Sequence, residues 1–427
     1  MLKFLGNRSD YFRNISKLVA GTSVAQLISF LAAPVITRVY TPSDVGAFTF
    51  LISIAGGIGL VAALRYEMAI ILPAENRDSV NLVFLSLIIA LFVSFLSTSV
   101  LFIIDRAFLP GIIRNPLYKQ WIYLLPALIF FMAASSIFQQ WFNHRKEYKA
   151  LAYSKIFTSA GNNLTTLLMG YAGFGALGLW LGNFTGFLVV VVFFVLIFYS
   201  RYRKDIMQFN FPLQKELAGK YKYLPLANTP QVIVEMVQSY GIVYLLKIFF
   251  SASVLGLYSL SLRLLQAPMW LVGISIGQVF YKEASEQYQR DGNLIKPVMK
   301  TIKTSAAIAL PVLIILLTAG PWLIGFVFGR AWTEAGMYAR ILAPWMFLDF
   351  IRSTIHQTPL IIRKAKPMFY LSLIGAVLII VPIVSGGLFF KDAIMAFILL
   401  SALQCFYSLG IILWIIALAR KHSLPRQ

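Results

Sequence analysis

Asn228, Gln231, Glu235 and Gln238 recur three and four residues apart inside an otherwise apolar run of this 427-residue chain. That spacing puts four polar side chains on one face of a helix, and Pro230 in the same run can kink it. A polar stripe is intolerable against lipid, so it predicts a wet cavity or a polar seam. Glu235 lies near the middle of the run, where it can carry a coupling proton or pair with Arg263 or Gln238.

Arginines stand in two further apolar runs, Arg65 in one and Arg263 in the other, and Lys17 opens the first run of the chain. An ionised side chain costs roughly 2.5–3.5 kcal/mol at the centre of a membrane helix, which makes each of these a functional candidate. The bland alternative is a long stem that snorkels to the headgroups. A guanidinium presents a planar fork of donors matched to phosphate oxygens, so Arg65 and Arg263 are candidate phosphate contacts, with Lys17 at the inner mouth. Asp349 and Arg352, three residues apart, share a helix face and can neutralise each other. Asp349 is nonetheless kept beside Glu235 as an ion-coupling candidate. Arg340, nearer the outer surface, reads as snorkelling.

Enzymatic chemistry finds little support. The three histidines, His144, His356 and His422, form no metal spacing, and no Gly-Lys-Ser/Thr phosphate loop occurs. Cys405 is the only cysteine, which excludes an intramolecular disulfide and a cysteine metal cluster. No cofactor and no metal site are expected.

These residues must be positioned by membrane helices. Residues AVILMFWYC make up 59% of the chain and charged residues 12%, and the mean hydropathy is +0.78; soluble domains carry about 25% charged residues. Twelve apolar stretches of the length needed to span a bilayer lie near 18–37, 46–72, 80–104, 120–141, 151–171, 176–199, 225–250, 254–279, 304–327, 336–358, 368–389 and 393–419. The net charge of +21 could suggest nucleic acid, but its distribution says otherwise. Of 37 Lys and Arg, 25 fall in alternate gaps and at the two ends, six in the opposite loops, and six within the stretches. That is the positive-inside bias, with both termini cytoplasmic, and the excess reads as contact with anionic headgroups. The first stretch lacks a small-residue cleavage site and runs into further spans, so no cleaved signal is expected. The longest loop, near 200–223, is too short for a soluble domain.

The chain repeats itself. Thr41-Pro-Ser-Asp-Val-Gly46 aligns with Ser251-Ala-Ser-Val-Leu-Gly256, Arg106-Ala107-Phe108 with Arg330-Ala331-Trp332, and Gln139 followed by Arg145-Lys146 with Gln357 followed by Arg363-Lys364. An even number of spans per copy sends both copies across the membrane in the same direction. The expected architecture is an all-α integral membrane protein with twelve transmembrane helices in two parallel six-helix lobes about a central cavity. The lobes fall at 1–200 and 224–427, joined by a cytoplasmic linker at 201–223. Arg65 and Arg263, equivalent in the repeat, would face that cavity from opposite lobes. Gly173-Phe-Gly175-Ala-Leu-Gly178 matches the dinucleotide fingerprint in letters only, because it lies between membrane spans rather than in a strand–helix unit. Gly178, Gly182 and Gly186, one turn apart, read as a close helix–helix contact.

Several segments resemble one family. Arg38-Val-Tyr-Thr-Pro-Ser-Asp-Val-Gly46, Leu64-Arg-Tyr-Glu-Met-Ala-Ile-Ile-Leu-Pro73, Leu255-Gly-Leu-Tyr-Ser-Leu-Ser-Leu-Arg263, Ile276-Gly-Gln-Val-Phe280 and Phe328-Gly-Arg-Ala-Trp332 are similar, in order, to segments of the Wzx-type polysaccharide repeat-unit flippases of the multidrug/oligosaccharidyl-lipid/polysaccharide (MOP) exporter superfamily. The resemblance covers nearly the whole chain. It implies a MATE-like fold and movement of undecaprenyl-diphosphate-linked oligosaccharide from the inner to the outer leaflet of a bacterial cytoplasmic membrane, as in O-antigen and other lipopolysaccharide biosynthesis. It further implies a sodium or proton gradient as the energy source. Membrane lipids, a polysaccharide polymerase and a chain-length regulator are the implied partners, and nucleic acid is not. A flippase for lipid-linked peptidoglycan precursor, a MATE-type multidrug exporter and a membrane glycosyltransferase or polymerase are the alternatives. The exporter would favour an acidic cavity, and the transferase a large polar loop with catalytic acids.

Overall fold

The computed structural model describes the backbone of residues 2–107, 121, 123–362, 364 and 366–421, and their side chains except at 2–17, 98, 101–102, 104–107, 234, 237–238, 267–268, 270–271, 366 and 369. The side chains of Lys17 and Gln238 therefore lie outside the described residues, as do Arg114, Arg363 and His422. Every regular element among the described residues is helical. The helices are α1 (Leu2–Val39), α2 (Pro42–Val61), α3 (Asn76–Ala107), α4 (Leu125–His144), α5 (Tyr148–Tyr171), α6 (Ala176–Ile206), α7 (Phe211–Lys220), α8 (Thr229–Phe249), α9 (Ala252–Asp291), α10 (Ile295–Phe328), α11 (Thr333–Ile355), α12 (Lys366–Ser385) and α13 (Ala393–Lys421).

A helix occupies each of the twelve apolar intervals. Eight of these helices are long and apolar enough to cross a membrane by length and composition, and the protein is a multi-pass membrane protein. The stretch 201–223 is itself largely helical, because α6 continues to Ile206 and α7 follows. Asn210 caps α7 by accepting from the Leu213 amide at 3.1 Å, and the Asn81 side chain ties this segment back to α3.

The chain forms two compact units, Met1–Tyr240 and Gly241–Gln427. In the first, Thr41 and Asp44 form a capping box on α2: the Thr41 hydroxyl accepts from the Asp44 amide at 3.2 Å, and the Asp44 carboxylate accepts from the Thr41 amide at 3.0 Å. The other oxygen of Asp44 accepts from the Ala176 amide at 3.1 Å, so one carboxylate starts both α2 and α6. Gly173 and Gly175 take φ of 80° and 52° in the turn that joins α5 to α6, a conformation glycine adopts without strain. The glycine-rich motif is thus a helix–helix turn. Just before α2, Tyr40 donates to the Thr166 carbonyl at 2.6 Å; burial, helped by the nearby Asp44, pushes its phenol up to about 12.

The glycines that follow the turn let α5 and α6 touch. A Cβ on Gly182 would stand 2.8 Å from the Asn162 carbonyl oxygen, and one on Gly186 would stand 2.8 Å from that of Thr158. Polar bonds clamp α1 to α5: Ser29 meets Ser159 at 3.0 Å, and the Ser159 hydroxyl bonds the Ala25 carbonyl at 2.7 Å.

The second unit repeats the pattern. In both units the second and third helices pack on the fourth, and the fourth and fifth pack on the sixth. Ser251 caps α9 by accepting from the Val254 amide at 3.3 Å, the counterpart of Thr41. The Ser261 hydroxyl donates to the Ala335 carbonyl at 2.7 Å, and a Cβ on Gly336 would lie 2.7 Å from the Gly320 carbonyl oxygen. Trp332 is fully buried, and Tyr258 stacks on Phe397 with ring centroids 5.2 Å apart.

Candidate functional site

Sequence periodicity carries the second span to residue 72, but α2 stops at Val61. The chain then turns. Leu64 and Arg65 both take left-handed backbone angles, with φ of 48° and 65°, before a 3-10 turn over Tyr66–Ile71. Apolar continuity hid this break, because hydropathy reports burial and not helical geometry. Left-handed angles at residues other than glycine cost on the order of 1–3 kcal/mol each, and such strain concentrates at functional sites.

The turn brings Arg65 back over Glu67. The Arg65 Nη1 lies 3.1 Å from the Glu67 Oε1, and the Glu67 side chain is only 5% exposed. The Arg65 Nε and the Glu67 Oε2 are buried without a hydrogen-bond partner. Both residues line a cavity of about 110 Å³, together with Gly56, Gly59, Leu60 and Ala63 before them and Met132, Ser136 and Phe187 from α4 and α6. The small residues at 56, 59 and 63 leave the space that larger side chains would fill. Glu67 was missed by sequence reasoning; its signal was its position two residues from Arg65 in an apolar context.

The amide stripe is partly satisfied from within. Leu224–Asn228 winds as a wide π turn immediately before Pro230, so the predicted irregularity precedes α8 instead of kinking it. Asn228 is half-buried there. The Gln231 amide donates to the Glu235 carboxylate at 3.0 Å, and both side chains are exposed. Glu235 is thus paired with Gln231 among the described residues, and the expected partner Gln238 has its side chain outside them.

Arg263 stands on α9 of the second unit, exposed and without a hydrogen-bond or ion-pair partner among the described residues. In the same unit the Arg352 Nε donates to Asp349 at 3.0 Å, and the guanidinium lies over the Tyr407 ring at 5.8 Å. Asp349 thus pairs with Arg352, the partner that their three-residue spacing predicts. The Arg340 guanidinium donates to the Thr318 carbonyl of α10 at 3.2 Å. No group of three or more His, Cys, Asp or Glu suited to a metal ion occurs among the described residues.

The described residues form an all-helical membrane fold in two repeated units, and solved structures share the architecture. The inward closed conformation of the lipid II flippase MurJ superposes with a TM-score of 0.68 at 15% identity, over 94% of this chain and 89% of that one. An inward-facing multidrug resistance MATE family transporter of the MOP superfamily gives 0.64 at 13% identity, over 95% and 100%. A MOP superfamily transporter from Pyrococcus furiosus gives 0.53 at 12%, over 96% of each chain. Comparison with curated protein sequences finds no match. The polysaccharide biosynthesis protein family matches residues 35–336, and the chain belongs to that family.

Proposed function

We propose that the protein is a flippase that carries undecaprenyl-diphosphate-linked oligosaccharide repeat units from the cytoplasmic to the outer leaflet of a bacterial inner membrane, for surface polysaccharide assembly. It spans the membrane twelve times with both termini inside, and it works as a transporter without chemistry of its own. The observation that carries this reading is the pair of cations kept in apolar surroundings, one in each unit. Arg65 is held at a cavity by a single carboxylate, and Arg263 has no partner among the described residues. A diphosphate head is the anion that such guanidinium forks fit. The amides Asn228, Gln231 and Gln238 suit hydrated sugar, and Lys17 suits the approaching phosphate at the inner mouth. Membership of a polysaccharide biosynthesis family supports the glycan part. Likeness to a lipid II flippase fold is compatible with a lipid-linked cargo.

Energy comes from a sodium or proton gradient, with Glu235 as the coupling group. The product passes to a polymerase and chain-length regulator on the outer face. Proteoliposomes holding the purified protein and defined fluorescent lipid-linked sugars test the reading. Flipping of undecaprenyl-diphosphate oligosaccharide supports it. Flipping of the lipid-linked peptidoglycan precursor alone assigns the neighbouring cargo, and export of cationic drugs alone overturns the flippase.

A further inference from the structure

Lys155 is an exposed cation near the start of the fifth apolar stretch, 151–171, that the proposed path of the head group has not used. It lies seven residues into α5, about 10 Å along the axis at 1.5 Å per residue. Its Nζ donates to the Gln139 Oε1 at 2.8 Å, and Gln139 in turn donates to the Ser135 hydroxyl at 3.1 Å. Both partners are neutral. No carboxylate lies within ion-pair distance of Lys155 among the described residues. Arg65, Arg201, Lys300 and Arg352 each have one.

Two features separate this lysine from a snorkelling one. First, its ammonium is fixed to a side chain on the neighbouring helix, on a particular face of α4. Met132, Ser136 and Gln139 follow helical spacing and share that face, and Met132 and Ser136 line the cavity that holds Arg65 and Glu67. Gln139 therefore continues the cavity-lining face toward the cytoplasmic end of α4, and Lys155 is anchored to it. Second, the internal repeat keeps the amide and drops the cation. Gln357 corresponds to Gln139, but the position corresponding to Lys155 is Leu373. A lysine needed to hold this kind of helix pair together would be expected in both copies.

We propose that Lys155 is a second phosphate-binding cation of the N-terminal unit, oriented by Gln139 and acting on the same diphosphate head as Arg65. An unneutralised ammonium in an apolar span is costly to keep, and an anion arriving from the cytoplasm offsets that cost. Two cations beside one face of α4 discriminate a diphosphate from a monophosphate, because only the former carries two phosphoryl groups to engage them. This inference rests on the diphosphate reading of the cargo.

The experiment measures binding of undecaprenyl diphosphate and undecaprenyl monophosphate to the full-length protein in nanodiscs. It compares the native chain with Lys155→Met, Lys155→Arg, Gln139→Leu and Arg65→Ala, and records the melting temperature of each without lipid. Lys155→Met is expected to weaken diphosphate binding about tenfold and monophosphate binding less than twofold, leaving the melting temperature unchanged or raised. Lys155→Arg is expected to retain the preference, and Gln139→Leu to lose part of it. Equal loss for both lipids, no loss for either, or a lowered melting temperature in Lys155→Met overturns the proposal. If Arg65→Ala weakens binding and Lys155→Met does not, this inference alone fails. If neither does, the diphosphate reading fails with it.

Discussion

Under the proposed function Arg65 and Glu67 serve stability and transport at once, and the two roles are separable by substitution. Removing one partner of a buried ion pair strands the other, at a cost of about 3–5 kcal/mol, whereas replacing both by apolar side chains is often neutral. Glu67→Ala is therefore expected to lower the melting temperature sharply, and Arg65→Met with Glu67→Met to restore most of it without restoring transport. A double variant as unstable as Glu67→Ala would show that the pair is not a closed unit. Arg263 has no such partner, so Arg263→Ala should leave abundance and melting temperature unchanged while abolishing flipping. Arg263→Lys should keep part of the activity, because the charge survives and the planar fork does not. Full complementation of a flippase-null strain by Arg263→Ala would reduce that residue to packing.

The elements divide into those that periodicity foretells and those that it cannot. The helical intervals and the α5–α6 glycine contact were legible because they depend on local spacing, in the second case small residues one turn apart. The end of α2 at Val61 was not legible, since the residues that follow are as apolar as the helix and only their left-handed angles break it. The Gln139–Lys155 and Arg340–Thr318 bonds were hidden for another reason: they join helices distant in sequence, so no single window contains them. The glycine contact supports a direct test. Gly182→Leu forces a side chain against the Asn162 carbonyl and Thr166, and overpacking of this kind costs about 1–3 kcal/mol. Gly410→Ala, on α13 with nothing within 4 Å of the added carbon, should instead be neutral or stabilise by about 0.5–1 kcal/mol. Thermal denaturation in detergent reads both, and equal melting temperatures for the two variants would contradict the close α5–α6 contact.

At the scale of the whole molecule, charge decides orientation, and orientation decides what the membrane potential does to the cargo. Cysteine variants in a Cys405→Ala background test the orientation: Arg203→Cys should react with an impermeant maleimide only from the cytoplasmic face, and Lys391→Cys, in the turn between α12 and α13, only from outside. Labelling of position 203 from outside intact cells overturns the topology. With that sense of insertion, the proposed diphosphate cargo would move from the cytoplasmic to the outer side, down the electrical gradient of a cell that is negative inside. Each negative charge that crosses the full field gains about 2.3 kcal/mol per 100 mV. The arginines and lysine that carry the head stay in the protein, so their charge cancels the field only for steps in which they move with the cargo. If the head leaves Arg65 and crosses the field with its own charge, a potassium–valinomycin potential, negative on the cytoplasmic face, should accelerate flipping in oriented proteoliposomes. Reversing its sign should slow flipping. A rate indifferent to both signs would mean that no net charge crosses the field in the slow step, and that the head moves as a neutral complex with the cations that bind it.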